Sequence, residues 1–325
     1  LRPSNIFLNF KVCFQIKMKM HNFFFKVNKY LQNLKMYFLP FSKHSGFLFT
    51  LKVFLKFKIL NNFLSFVFYN LIPYRKKVVL SNLRNSFPNK TEREIRTICR
   101  AFYRHLTDLI VESIKLFSIT QKQLDKRFVV NLPGALPSYF QKGQDVIIVG
   151  GHYNNWEMLA SGLHQQVPHD VVALYSKLNN AFFDRKIKES RSAFGLRMVT
   201  TKDSFAYFTE EHTTPRMTVF GADQSPTSSK SVLWTNFLNQ DTAVALGTER
   251  FAKKYNLPVL YGSIHKAKRG HYTLDIDVLF DDPNQTDEGE ITKAHTQKLE
   301  EQILAHPEFW LWTHKRWKRV RKENE

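Results

Sequence analysis

Asp145-Val146-Ile147-Ile148-Val149-Gly150-Gly151-His152-Tyr153-Asn154-Asn155-Trp156-Glu157 is the stretch on which the reading of this chain turns. Val146 to Val149 are apolar and β-branched without alternation, which is how a strand buried on both faces reads. Gly150 and Gly151 interrupt the run, and Met158 to Gln166 spell a helix. His152 therefore stands where a strand hands over to a helix. That carboxyl edge is where open α/β sheets bind ligands.

Four residues separate His152 from Glu157. Five positions along a regular helix rotate by about 140°, so the two side chains meet only if His152 lies in the turn and Glu157 in the first helical turn. Glu157 then accepts a hydrogen bond from one imidazole nitrogen, fixing the tautomer and leaving the other as a general base. The helix start adds backbone N–H groups near a developing oxyanion. A histidine beside a Trp and a Glu is as readily a satisfied core or surface residue, and spacing alone does not choose between the two. A zinc site lacks both the i, i+4 histidine pair and a third ligand. No G-x-S-x-G is present, and neither Cys13 nor Cys99 lies near a base in the sequence. What is left is a base that activates the hydroxyl of another molecule.

The H-x-x-x-x-[D/E] pattern after a hydrophobic strand resembles the glycerolipid and lysophospholipid acyltransferase superfamily, and Gly151-His152-Tyr153-Asn154-Asn155-Trp156-Glu157 resembles its lipid A biosynthesis branch. Three further blocks carry the same resemblance: Tyr74 to Leu83 with Ser86-Phe87-Pro88, Gly221-Ala222-Asp223-Gln224-Ser225-Pro226, and His306 to Trp317. It covers roughly residues 47 to 320. It implies an acyl thioester donor, acyl carrier protein, a lipid A precursor as acceptor, and catalysis by His152 and Glu157. It also implies that Asp223 and Gln224 shape the acceptor or thioester pocket, and that Arg191 contacts a phosphate or pantetheine. Many relatives carry a Tyr-Arg or Tyr-Lys pair where this chain has Tyr175-Ser176-Lys177, so Lys177 is the candidate for the equivalent cation. The place it implies is the inner, cytoplasmic membrane with the catalytic domain facing the cytoplasm. A turn-forming Asp223 before Ser225-Pro226 and a solvated Arg191 are the plainer readings of the same residues.

Composition agrees with an anionic partner. Lys and Arg number 48 against 28 Asp and Glu, a net charge of +20. Nucleic acid, an anionic membrane surface, an acidic carrier protein or a phosphorylated substrate would each satisfy it. Aromatic content of 14%, with 30 phenylalanines, favours lipid, and no nucleic-acid module is recognisable. Two cysteines exclude a disulfide framework and a Cys-based metal site. No dinucleotide fingerprint or Walker loop appears, so no cofactor is indicated.

In chain order, residues 1–46 read as a basic Phe/Lys/Asn-rich leader or translated upstream sequence, and half of the phenylalanines lie before residue 70. Residues 47–74 read as a membrane-associated helix with a narrow polar stripe at Lys52, Lys56, Asn61, Ser65 and Tyr69. Its uncharged run from Ile59 to Tyr74 is shorter than the ~20 residues of a clean span. It is expected to lie in the interface, with Arg75-Lys76-Lys77 at headgroup level, and a buried core helix is the competing reading. Residues 75–320 form the acyltransferase domain and 321–325 a charged tail. Within the domain, Thr91-Glu92-Arg93-Glu94 spells a capping box, and His105 sits in a helix as a packing residue. Strands are expected at Phe128–Asn131, Asp145–Val149, Asp170–Tyr175, Arg197–Thr200, Met217–Ala222, Pro258–His265 and Tyr272–Leu279. Helices are expected at Ala181–Ala193, Lys202–Glu211, Val244–Lys254 and Thr292–Leu304. Their alternation gives an α/β fold, a mostly parallel sheet flanked by helices. Glu249 and Arg250 are either functional or structural in the helix behind the pocket. Trp310, Trp312 and Trp317 among basic residues suit a water–lipid interface. A hydrolase using the same pair on water, a transferase acting on a lysophospholipid or aminolipid, and a non-catalytic basic membrane- or nucleic-acid-binding protein all remain open.

Overall fold

The computed structural model describes residues 61–62, 64–71, 74–177, 180–226 and 231–321. The expected leader, most of the expected membrane-associated helix and the last four residues of the charged tail lie outside that range. A π-helical turn at Val67–Leu71 leads into α1 (Lys76–Ser86) and α2 (Glu92–Lys115). The chain continues through α3 (Gln121–Asp125), β1 (Phe128–Asn131), α4 (Ala135–Gln141), β2 (Val146–Gly150) and α5 (Trp156–Gly162). Next come β3 (Asp170–Tyr175), α6 (Ala181–Ser192), β4 (Arg197–Thr200), α7 (Ser204–Thr209) and β5 (Arg216–Gly221). The remainder is β6 (Val232–Phe237), β7 (Gln240–Ala245), α8 (Gly247–Tyr255), β8 (Val259–Lys268), β9 (His271–Phe280) and α9 (Glu290–Ala305).

Seven strands form one sheet in the order β1-β9-β8-β2-β5-β3-β4. Every neighbouring pair is parallel except the β8–β9 hairpin. The mostly parallel α/β fold read from the alternation is what the chain adopts. β2 lies inside the sheet between β8 and β5, so both its faces are covered. Ile147 and Val149 join the apolar layer containing α2, α9, Trp310 and Trp312. Val146 and Ile148 join the opposite layer, with Leu136 and Met158. A strand that fills two cores has no polar face, which is why its sequence shows no alternation.

Several elements depart from the expectation. The helix expected over Met158–Gln166 begins earlier, at Trp156, and stops at Gly162, with a separate 3-10 turn at His164–Gln166. Val244 and Ala245 belong to β7, paired with Leu233 and Val232, and α8 starts only at Gly247. The β6–β7 hairpin turns through Leu238 and Asn239, both with positive φ (53° and 59°). Such a turn is normally written with Asn or Gly at both places, so its sequence signal is weak. The capping box is realised: Thr91 Oγ1 accepts from Glu94 N, and the Glu94 carboxylate accepts from Thr91 N at 2.8 Å.

Part of the segment expected at the membrane lies within the described residues. Within the described part of the amino-terminal segment, the polar stripe faces protein. Asn61 and Ser65 are buried, Asn61 donates to Asp108, and Tyr69 packs edge-on against Tyr103, while Phe66 is exposed. Of the basic run, Arg75 donates to Thr313 O at 2.9 Å, and Lys76 donates to Tyr69 O and sits over the Tyr69 ring. No helix of the described residues is long and apolar enough to cross a membrane.

Candidate active site

The register of the central strands builds the site. β2 and β5 run parallel with Gly150 beside Gly221. His152 and Asp223 each lie two residues beyond those glycines, so they leave the sheet side by side at its carboxyl edge. His152 Nδ1 is 2.7 Å from Asp223 Oδ1. The other carboxylate oxygen accepts from Trp310 Nε1 at 2.9 Å. Burial opposes the negative charge of Asp223, but the adjacent imidazole, its hydrogen bonds and the Trp310 N–H outweigh burial and hold the carboxyl below the usual carboxylate range. An ionised carboxylate at Nδ1 keeps the proton on that nitrogen and leaves Nε2 to accept one. Gln224 Nε2 lies 3.3 Å from His152 Nε2, and Trp156 packs edge-on to the imidazole at 5.3 Å between centroids.

The carboxylate that holds the imidazole is therefore Asp223, 71 residues away in sequence, in the place expected for Glu157. Asn155 caps α5, and Glu157 is the second residue of that helix. Its oxygens accept from Arg191 NH2 at 2.9 Å and Arg191 Nε at 3.2 Å. This bidentate pair is half-buried and ties α5 to α6. A phosphate approaching Arg191 would compete with that pair. Lys177 is exposed, one residue beyond Ser176, which lines the cavity described below. Of the backbone N–H groups at the helix start, that of Met158 is taken by Asn155 Oδ1 at 3.0 Å.

The turn carrying His152 is fixed from several sides. Asn154 adopts positive φ (53°), a conformation Asn tolerates better than most residues. Its Nδ2 donates to Ile264 O at 2.8 Å and its backbone N to Phe309 O at 2.9 Å. Tyr153 bridges Trp310 and donates from its hydroxyl to Gln302 O at 3.0 Å. Gly151 lies at a close approach, where a Cβ would meet the Leu299 methyls at 2.8 Å and Asp223 Cβ at 3.3 Å, so that Leu299 would have to move.

The closing segment serves the site from inside the protein. Trp310 and Trp312 are fully buried, correcting their expected place at a lipid surface. Their N–H groups are held by Asp223 and by Pro307 O, and that of Trp317 by Thr242 Oγ1. His314 Nε2 accepts from Ser225 N at 3.0 Å, and burial lowers its pKa to about 3. Arg316, also buried, donates to Ala243 O at 2.8 Å. Glu249 is structural: its carboxylate accepts from Gly289 N, Thr292 N and Thr292 Oγ1 at the start of α9.

A cavity of about 220 Å³ opens beside His152. Leu159, Ala160 and Leu163 of the α5 region, Val171 and Ala173 of β3, Leu196 and Val219 give it apolar walls. His152, Gln224, Ser176, Asp184 and Arg191 supply its polar groups. A hydrocarbon chain can lie in such a space with a carbonyl at the imidazole. Among the described residues, no group of three or more His, Cys, Asp or Glu side chains is placed to hold a metal ion.

The site is thus an imidazole braced by a buried carboxylate, lining a largely apolar cavity on the carboxyl edge of an α/β sheet. The model of the bacterial lipid A biosynthesis acyltransferase family matches residues 47–319, and the chain belongs to that family. No curated protein matches it. Family membership makes it an acyltransferase of lipid A biosynthesis.

Proposed function

We propose that the protein moves a fatty acyl chain from an acyl thioester, carried by acyl carrier protein, to a hydroxyl of a lipid A precursor at the cytoplasmic face of the inner membrane. The observation that carries this reading is the continuity between the His152 imidazole and the apolar cavity. The acyl chain occupies the cavity and presents the thioester carbonyl to the acceptor oxygen. His152 Nε2 takes the hydroxyl proton as that oxygen forms its bond to the carbonyl carbon, and Asp223 stabilises the resulting imidazolium. Collapse of the tetrahedral adduct breaks the carbon–sulfur bond, and the departing thiolate takes the proton back from the imidazolium. No covalent enzyme intermediate is needed. Gln224, beside Nε2, occupies the place from which the acceptor hydroxyl is bound. The net charge of +20 suits both an acidic carrier and anionic lipid.

The test is acyl transfer by the full chain in lipid vesicles, supplied with acyl-carrier thioester and a lipid A precursor. The acylated glycolipid should form, and His152→Ala should lose about two to four decades of rate while keeping the fold. Free fatty acid as the sole product would favour a hydrolase, and acylated lysophospholipid a different acceptor. Undiminished transfer by His152→Ala would overturn the mechanism.

A further inference from the structure

α2 is striped with apolar residues, yet it also carries three titratable side chains turned inward: the buried His105 and Asp108, and the half-buried Glu112. They fall at i, i+3 and i+7 and share one face. Asp108 is balanced, with Lys266 and Arg269 each at 2.8 Å and Asn61 donating to it. Glu112 has no ion-pair partner among the described residues, and its Oε1 is buried with no hydrogen bond among them. Its Oε2 accepts from Asn155 Nδ2 at 2.7 Å and from the Tyr272 hydroxyl at 2.8 Å. Burial raises its pKa to about 7 against those two hydrogen bonds; Asp108 raises it further and Lys266 of β8 lowers it. An Arg127 guanidinium nitrogen and Glu112 Oε1 both face Gly270, 2.8 and 3.6 Å from where a Cβ there would lie.

A carboxyl that forms no ion pair and keeps one oxygen buried and unbonded weakens a fold relative to an apolar residue of the same shape. Stability therefore does not account for Glu112, whereas its partner does. Asn155 is the cap of α5: the oxygen of its amide accepts from Met158 N, and the nitrogen of the same amide donates to Glu112. We infer that Glu112 is a positioning residue for the reaction, holding the Asn155 amide from α2 and so fixing the turn between His152 and α5. Tyr153 and Asn154 are held by Trp310, Gln302 O, Ile264 O and Phe309 O, and Asn155 anchors the end of the turn that joins α5. The inference rests on the reading of His152 as the base.

The test reverses the hydrogen bond. Asn155→Asp keeps an oxygen to cap Met158 N but turns the donor facing Glu112 into an acceptor. It should lower kcat about 10- to 100-fold with KM little changed, as expected when a base is displaced by a fraction of an ångström. Combining Asn155→Asp with Glu112→Gln restores one donor and one acceptor, at unchanged total charge when assayed above pH 7 where Glu112 is ionised, and should return kcat to within about 3-fold of wild type. A double variant no better than the single, or an Asn155→Asp protein with wild-type kcat, overturns the proposal. If Asn155→Asp does not fold, Glu112→Leu replaces it with the same expected loss, and a folded Glu112→Leu enzyme with wild-type kcat overturns it equally. Imidazole ¹⁵N spectra of His152 supply a readout independent of the substrate. A tautomer balance altered in the single variant and restored in the double supports the positioning role even if acyl transfer is absent. Spectra unchanged throughout sink it even if the acyltransferase reading stands.

Discussion

At the scale of single residues, two carboxylates compete for the role beside His152, and their surroundings separate them. Asp223 is buried, bonded to Nδ1 and supported by Trp310, whereas Glu157 is engaged by Arg191. Asp223→Asn preserves shape but removes the charge that fixes the tautomer, and kcat should fall by as much as about four decades. Glu157→Gln weakens the tie between α5 and α6 and should cost less, about one decade in kcat/KM. Steady-state kinetics on the two variants decide the order, and a larger loss for Glu157→Gln would return the orienting role to that residue. His152 was legible because a histidine directly after an apolar strand stands out. Its partner was not, because nothing in Gly221-Ala222-Asp223-Gln224 says which strand lies next to β2. The tryptophans of the closing segment misled for a related reason, since a Trp flanked by Lys and Arg spells a membrane interface and a buried N–H donor in the same letters.

Secondary-structure elements were read best where a local signal marks them, as in α2 with its capping box and in the short apolar strands β3 and β4, whose bounds are those expected. The β6–β7 hairpin escaped because its turn lacks the Asn-Gly signature, and the His105–Asp108–Glu112 face of α2 escaped because its partners come from β8, β9 and the His152 turn. That face has a consequence for stability. Glu112 keeps its proton in the folded chain up to about pH 7, whereas in the unfolded chain it loses the proton near 4.5. Over that window the folded state binds more protons, so stability falls as pH rises through it and is level above it, by at most about 3 kcal/mol. Glu112→Gln should remove this fall, so that denaturant midpoints of variant and wild type converge below pH 4.5 and separate towards pH 8. His314 acts in the opposite sense. Its folded pKa, near 3, lies below the ordinary histidine value, so the unfolded chain gains a proton first and stability drops as pH falls below about 6.5. His314→Gln keeps an acceptor for the Ser225 N–H and should flatten that acid limb in the same titration.

For the whole molecule, the quantity that matters is the volume enclosed by α5, α6 and the strands beneath them. Ala173 lines that space, and Ala173→Leu should shift preference towards acyl thioesters shorter by about two to four carbons, with little change in Tm. Competition between donors of graded length measures it; an unaltered preference would place the acyl chain elsewhere. The charge of +20 predicts that binding of the full chain to anionic vesicles weakens steeply with salt. A sedimentation series in rising sodium chloride reads this directly. The sequence by itself determined the alternation of strands and helices, the strand that ends at His152 and the basic, aromatic character of the chain, because each is written in local periodicity or in composition. Only the tertiary structure decided that β5 lies against β2, that Asp223 rather than Glu157 braces the imidazole, and that Glu112 reaches the His152 turn. Those contacts join residues far apart in the chain, and strand order and register, which no local pattern encodes, bring them within hydrogen-bonding distance.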